Sequence, residues 1–216
     1  MVDCVFCNRE EIQEDILFET NHFLVKVGIG IITPGHVLLI PKQHYRTFAG
    51  LPEPLEAEFE CIKEKLKEKI RQSFSDPILF EDGNWRQSVK HAHIHFIPSK
   101  NEKYEAKNVI QEMCLAGGIN VERVNRKRLK ELYLQIGKYF SIEEGRNLYV
   151  CHLPTTEQGI DPPHLSYRVF FTERKGITGV RDWQKMPAEE READEIKRKI
   201  TKEKLRIALN QDIERN

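Results

Sequence analysis

The chain has 216 residues, enough for one large domain or two small ones, and 39% of them are hydrophobic, enough to build a packed core. Lys+Arg and Asp+Glu both number 34, for a formal net charge of zero. That balance excludes a general polyanion binder, whose affinity rests on a basic excess, but it leaves room for a small anionic ligand held by a local site.

Taken in chain order, the opening Met1-Val-Asp-Cys4-Val-Phe-Cys7 lacks the basic and apolar regions of a secretory signal, and no apolar run approaches the roughly 18–20 residues that span a bilayer. Five cysteines, three of them widely scattered (Cys61, Cys114, Cys151), argue against a disulfide framework. A reducing, cytoplasmic location is the expectation. Phe23 to Val27 reads as a short strand, 28–35 as a loop with turn residues at its end, and His36 to Ile40 as an apolar strand stopped by Pro41. From Pro52 or Glu53 to Ser73, Leu55, Phe59, Ile62, Leu66 and Ile70 recur at helical spacing, and Cys61 reads there as a buried thiol. Ile78 to Phe80 and His91 to Ile97 are the next strands.

The second half differs in texture. Val121, Val124, Leu129, Leu132, Tyr133, Ile136 and Phe140 predict one amphipathic helix, followed by Gly145. Leu148 to Leu153 and Tyr167 to Thr172 predict two strands. Ala188 to Leu209 is a charged helix, acidic first and basic later as the helix dipole favours, with a narrow apolar stripe of Ile196, Ile200 and Ile207. The division expected is 1–100 as one domain and 101–216 as a smaller extension of helix, strands and terminal helix. The mix of strands and helices makes the fold class α+β, with the 53–73 helix across a sheet.

The chemistry is concentrated in Gln87-Ser88-Val-Lys-His91-Ala-His93-Ile-His95-Phe-Ile-Pro98. Alternate residues of a strand share a face, so His91, His93 and His95 point one way, about 6.5–7 Å apart in succession, while Ala92, Ile94 and Phe96 back them from the core. Such a row suits a metal cage or phosphate chemistry. A neutral imidazole can attack phosphorus while its neighbours donate to developing charge, and the polar Gln87 and Ser88 just upstream favour phosphoryl or nucleotidyl chemistry. Cys4-x-x-Cys7 is open between a redox pair, buried thiols and half of a tetrahedral zinc site, for which His44, just after the apolar strand, is well placed as a further ligand.

His91-Ala-His93-Ile-His95-Phe-Ile resembles the signature of the histidine-triad family, and Thr33-Pro-Gly-His36-Val-Leu-Leu-Ile-Pro-Lys42 resembles an earlier segment of it. Cys4-Val-Phe-Cys7 is similar to the opening of zinc-containing members, so that the resemblance covers residues 3–100. It implies that His93 forms a covalent nucleotidyl intermediate, that His95 assists the leaving group, that His36 supports the triad, and that Gln87 and Ser88 contact phosphate. It also implies that His91 joins Cys4, Cys7 and His44 around a structural Zn2+. A histidine at position 95, where the transferase branch commonly has glutamine, points to a nucleotide hydrolase acting on dinucleoside polyphosphates, phosphoramidates or similar conjugates. A nucleotidyltransferase and a non-catalytic, RNA-associated protein are the alternatives. Two positions depart from the pattern: Gly28 stands where members carry the Asp or Asn that holds ribose, and Glu81 stands near a usual amide, where it must point away from phosphate or be protonated. Minimal members pair as homodimers, a partner that the extension here could replace with intrachain contacts. No membrane partner is expected.

Overall fold

A computed structural model describes residues 4–85, 87–99, 120–151 and 186–210. Within them the strands β1 (Ile16–Glu19), β2 (Phe23–Val27), β3 (Val37–Pro41), β4 (Pro77–Glu81), β5 (Ile94–Pro98), β6 (Val121–Val124), β7 (Phe140–Glu144) and β8 (Asn147–Cys151) form one sheet in the order β1-β2-β3-β5-β4-β7-β8-β6. Every pairing is antiparallel. The helices are α1 (Arg9–Ile12), α2 (Glu56–Ser73), α3 (Arg126–Ile136) and α4 (Ala188–Asn210). The fold is α+β, as expected.

Side chains directly opposite in an antiparallel ladder share a face, so the register sorts the sheet into two sides. Lys26, Leu38, His95, Phe80 and Ile142 follow one another across β2, β3, β5, β4 and β7 on one side. Val25, Leu39 and Ile94, with Val27, Val37, Phe96 and Leu79, lie on the other. That second side joins Phe59, Ile62, Leu66 and Ile70 of α2 and Leu205 of α4 in the main core. The histidine row is therefore mounted on a rigid plate whose back is buried. A Cβ at Gly35, which has φ of 91°, would stand 2.6 Å from Pro98 and 2.7 Å from Phe74, so the chain can enter β3 past that core only with glycine there.

Four expectations are corrected. The helix read across 121–140 is confined to Arg126–Ile136, because the Asn125 side chain caps it by accepting from Arg128 N–H and Gly137 ends it in the left-handed conformation. Val121–Val124 and Phe140–Glu144 are strands on either side of it. Cys61 is exposed, on the side of α2 away from the sheet. Cys151 is in a disulfide whose partner lies outside the described residues. The terminal helix docks not through Ile196 and Ile207, which are exposed, but through buried Asp194, Thr201 and Leu205. The strand expected at Tyr167–Thr172 lies outside the described residues, and no helix within them is long and apolar enough to cross a membrane. The boundary expected at residue 100 falls between β5 and β6, inside one hydrogen-bonded sheet.

Candidate functional site

β5 starts at Ile94, three residues later than the sequence suggests. Ladder bonding stops there because the preceding segment uses its backbone otherwise: Ala92 N–H donates to Tyr45 O at 2.7 Å, and the His91 carbonyl accepts from a side chain. The alternation nevertheless persists. Ala92 is fully buried in the α2 core, while His91, His93 and His95 are on the opposite side, each at most 5% exposed.

Three short contacts assign the imidazole protons. His93 lies 2.7 Å from the His91 carbonyl through Nδ1, and a carbonyl can only accept, so the neutral ring carries its proton on Nδ1 and its lone pair on Nε2. His36 Nδ1 accepts from Ile32 N–H at 3.1 Å, which leaves the proton of His36 on Nε2. That Nε2 is 3.0 Å from His95 Nδ1, so His95 accepts there and carries its own proton on Nε2. The two rings, with centroids 5.0 Å apart, are thus opposite tautomers, His93 with its proton on Nδ1 and His95 with its proton on Nε2. All three rings sit in a protein interior where such hydrogen bonds are stronger than in water.

Cys4, Cys7, His44 and His91 bring one ligand atom each within 4.8 Å of one another. Cys7 Sγ is 3.3 Å from His44 Nδ1 and 3.5 Å from His91 Nδ1, and Cys4 Sγ is 3.5 Å from His91 Nδ1. A tetrahedral zinc ion with its usual bond lengths needs S···N edges of about 3.5 Å, so the cluster has the right size. Burial, together with the neighbouring Cys4, pushes the Cys7 thiol up to about 11, so two thiolates do not form side by side unaided. Burial holds His91 down to about 4, keeping it neutral and able to ligate. The Nε2–H of His91 donates to Pro41 O at 2.8 Å, which fixes the ring with Nδ1 toward the sulfurs. His91 is thus brought to the cysteines, while His95 is brought to His36 and His93 stands against His95.

The remaining candidates are placed less uniformly. Gln87 is buried and donates to Arg46 O at 3.1 Å, while its Oε1 has no partner among the described residues. Ser88 is exposed in the loop before His91. Glu81 points away from the histidines: its carboxyl accepts from Phe48 N–H at 2.7 Å and meets the Tyr139 hydroxyl. Phe6, between the two cysteines, stands edge-on to His91 and His93 at 5.8 and 5.4 Å. Sequence reading passes over it, although an aromatic residue inside Cys-x-x-Cys was the available signal.

An antiparallel α+β plate thus carries a pair of buried histidines of opposite tautomer beside a Cys2His2 cluster. The HIT domain family matches residues 9–102. The chain is 28% identical over 134 residues to an uncharacterized HIT-like protein of Methanocaldococcus jannaschii, covering 60% of this chain and 98% of that protein. It is 32% identical over 103 residues to Protein hit of Bacillus subtilis, covering 44% and 70%. It is 28% identical over 102 residues to an adenosine 5'-monophosphoramidase of Saccharomyces cerevisiae, covering 46% and 65%. Among solved structures, a HIT family member from Bacillus subtilis aligns at a TM-score of 0.42 and 28% identity, covering 46% of this chain and 75% of that one. The chain belongs to the histidine-triad family.

Proposed function

We propose that this chain hydrolyses nucleotide conjugates at the α-phosphate. His93 Nε2 attacks phosphorus, an N–P bond forms, and the bond to the leaving group breaks with its electron pair going to the departing atom. His95 Nε2–H hydrogen-bonds to that atom and stabilises the charge it gathers. Water then adds to phosphorus and the N–P bond breaks, its pair returning to His93 Nε2. One proton of the water balances the proton taken up by the leaving group, and a nucleoside monophosphate departs.

The observation that carries this reading is the opposed pair of tautomers, with His93 fixed through the His91 carbonyl and His95 through His36. The relation to a monophosphoramidase of the same family supports it. The Cys4, Cys7, His44 and His91 cluster fits Zn2+, which when bound would be a structural ion closed by four protein ligands. Those ligands hold the segment of the nucleophile, His91 being two residues from His93.

The test is to incubate the protein with adenylyl phosphoramidates, diadenosine polyphosphates and nucleotide sugars, quench under denaturing alkaline conditions, and map histidine adducts by mass spectrometry. A nucleotidyl group on His93, with adduct and turnover both lost in His93→Ala, is the expected result. Turnover that survives His93→Ala overturns the reading. Transfer to phosphate or a sugar phosphate faster than to water would replace hydrolase by transferase.

A further inference from the structure

The peptide unit joining Ile31 to Ile32 is gripped at both ends. Its carbonyl oxygen accepts from the Lys197 ammonium of α4 at 2.7 Å, and its N–H donates to His36 Nδ1 at 3.1 Å. A peptide is planar, so whatever orients the carbonyl also aims the N–H. The rest of the loop is held by the same helix face. Asp194 accepts from Gly30 N–H at 2.9 Å and from Ile31 N–H at 2.7 Å, and Thr201 Oγ1 accepts from Gly35 N–H at 2.8 Å. Positions 194, 197 and 201 follow the i, i+3, i+7 spacing that puts side chains in one row along a helix. The row presents acceptor, donor and acceptor to successive backbone groups of a segment that has no ladder bonds of its own.

Resting on the function proposed above, we infer that Lys197 is a positioning residue for His95, acting through the Ile31–Ile32 peptide and His36. The ammonium fixes and polarises the peptide unit, the Ile32 N–H holds His36 as its Nε2–H tautomer, and His36 keeps the proton of His95 on Nε2, where the departing atom must find it. Lys197 keeps its own protons throughout and touches no substrate. If the peptide turns, His36 can carry its proton on Nδ1 instead. Its bare Nε2 then accepts from His95 in the Nδ1–H tautomer, and the Nε2 of His95 is left as an acceptor facing a group that needs a donor. The charged face of the terminal helix, rather than an apolar stripe, thereby becomes part of the catalytic apparatus from 161 residues away in sequence, counting from His36 to Lys197.

The full chain is compared as wild type, Lys197→Met and Lys197→Arg on two adenylyl conjugates differing only in leaving group, an acidic phenol and a basic amine. A poor leaving group depends on the His95 donor and an acidic phenol hardly does. Lys197→Met should therefore lower kcat on the amine about tenfold, and on the phenol less than about twofold, with KM nearly unchanged. Lys197→Arg, which keeps a cationic donor, should recover most of the loss. Equal losses on both conjugates, or no loss on either, would overturn the inference, since general loosening of the fold does not discriminate between leaving groups. Nitrogen-15 imidazole spectra of the wild type give a readout independent of any variant. His36 and His95 should both appear as Nε2–H tautomers, and a proton on His36 Nδ1 defeats the inference. If the wild type cleaves no conjugate and His93 is never labelled, the proposed function falls instead, and this role falls with it.

Discussion

His93 and His95 are two residues apart and of one chemical type, yet their Nδ1 atoms do opposite things, one donating to a carbonyl and the other accepting from a ring. The same contrast of environments governs Glu81. Burial raises its pKa from the model-peptide value of 4.5 to about 7, more than the Tyr139 hydroxyl, the Phe48 N–H and the Arg126 charge lower it. Because the folded state holds this proton more tightly than the unfolded one, the favourable contribution is complete below about pH 4.5. It is lost as pH rises toward 7. Glu81→Gln should therefore flatten stability between these limits, gaining about 3 kcal/mol on the wild type at pH 7.5 relative to pH 4.5. Urea denaturation of both proteins across that range measures it, and parallel curves would show that Glu81 does not titrate there. His36→Ala tests the other network. It should lower kcat by about one to two orders of magnitude while leaving the His93 adduct detectable with an acidic leaving group.

At the scale of elements, boundaries are set by single residues. Asn125→Ala removes the cap that separates β6 from α3 and should cost about 1 kcal/mol, read as a fall in Tm. The Cys2His2 cluster joins elements rather than residues, since Cys4 and Cys7 precede α1, His44 follows β3 and His91 precedes β5. The purified protein should contain about one equivalent of zinc, and removing it with a chelator should lower Tm by at least about 5 °C. A Tm unchanged by the chelator, or by Cys4→Ser, would show that the four ligands hold no structural ion.

For the whole molecule, the decisive contact is β7 on the outer edge of β4, with Ile78 opposite Glu144 and Phe80 opposite Ile142. Ion pairs tie the same region to α2, Lys63 and Lys67 with Glu143 of β7, and Glu56 with Arg126 and Lys130 of α3. An edge already paired within the chain has no backbone groups left for a second copy. No dimer built through the β4 edge is expected, although β1 and β6 end the sheet among the described residues. A stable dimer in sedimentation equilibrium whose crosslinks map to β4 would be the contrary result.

Much of this was legible beforehand because it depends on local periodicity. Phe59, Ile62, Leu66 and Ile70 mark α2, and the alternation of His91, His93 and His95 with Ala92, Ile94 and Phe96 sorts histidine face from core face whether or not the ladder reaches His91. The Cys2His2 set was expected only through the family resemblance, since Cys4-x-x-Cys7 by itself left a redox pair and buried thiols open, and the structure brings the four residues together. The boundaries of α3 were not legible, since Val121, Val124 and Phe140 suit a strand as well as a helical stripe, and the sheet edge decided between them. Nor could the sequence reveal which histidine carries its proton where. That depends on which carbonyl, N–H or ring the fold sets within about 3 Å, including a peptide aimed by Lys197 from the far end of the chain. The sequence by itself determined the family, the plate and the histidines mounted on it. Only the tertiary structure decided their protonation and the closing of the β4 edge, because both depend on directional hydrogen bonds between segments that periodicity does not relate.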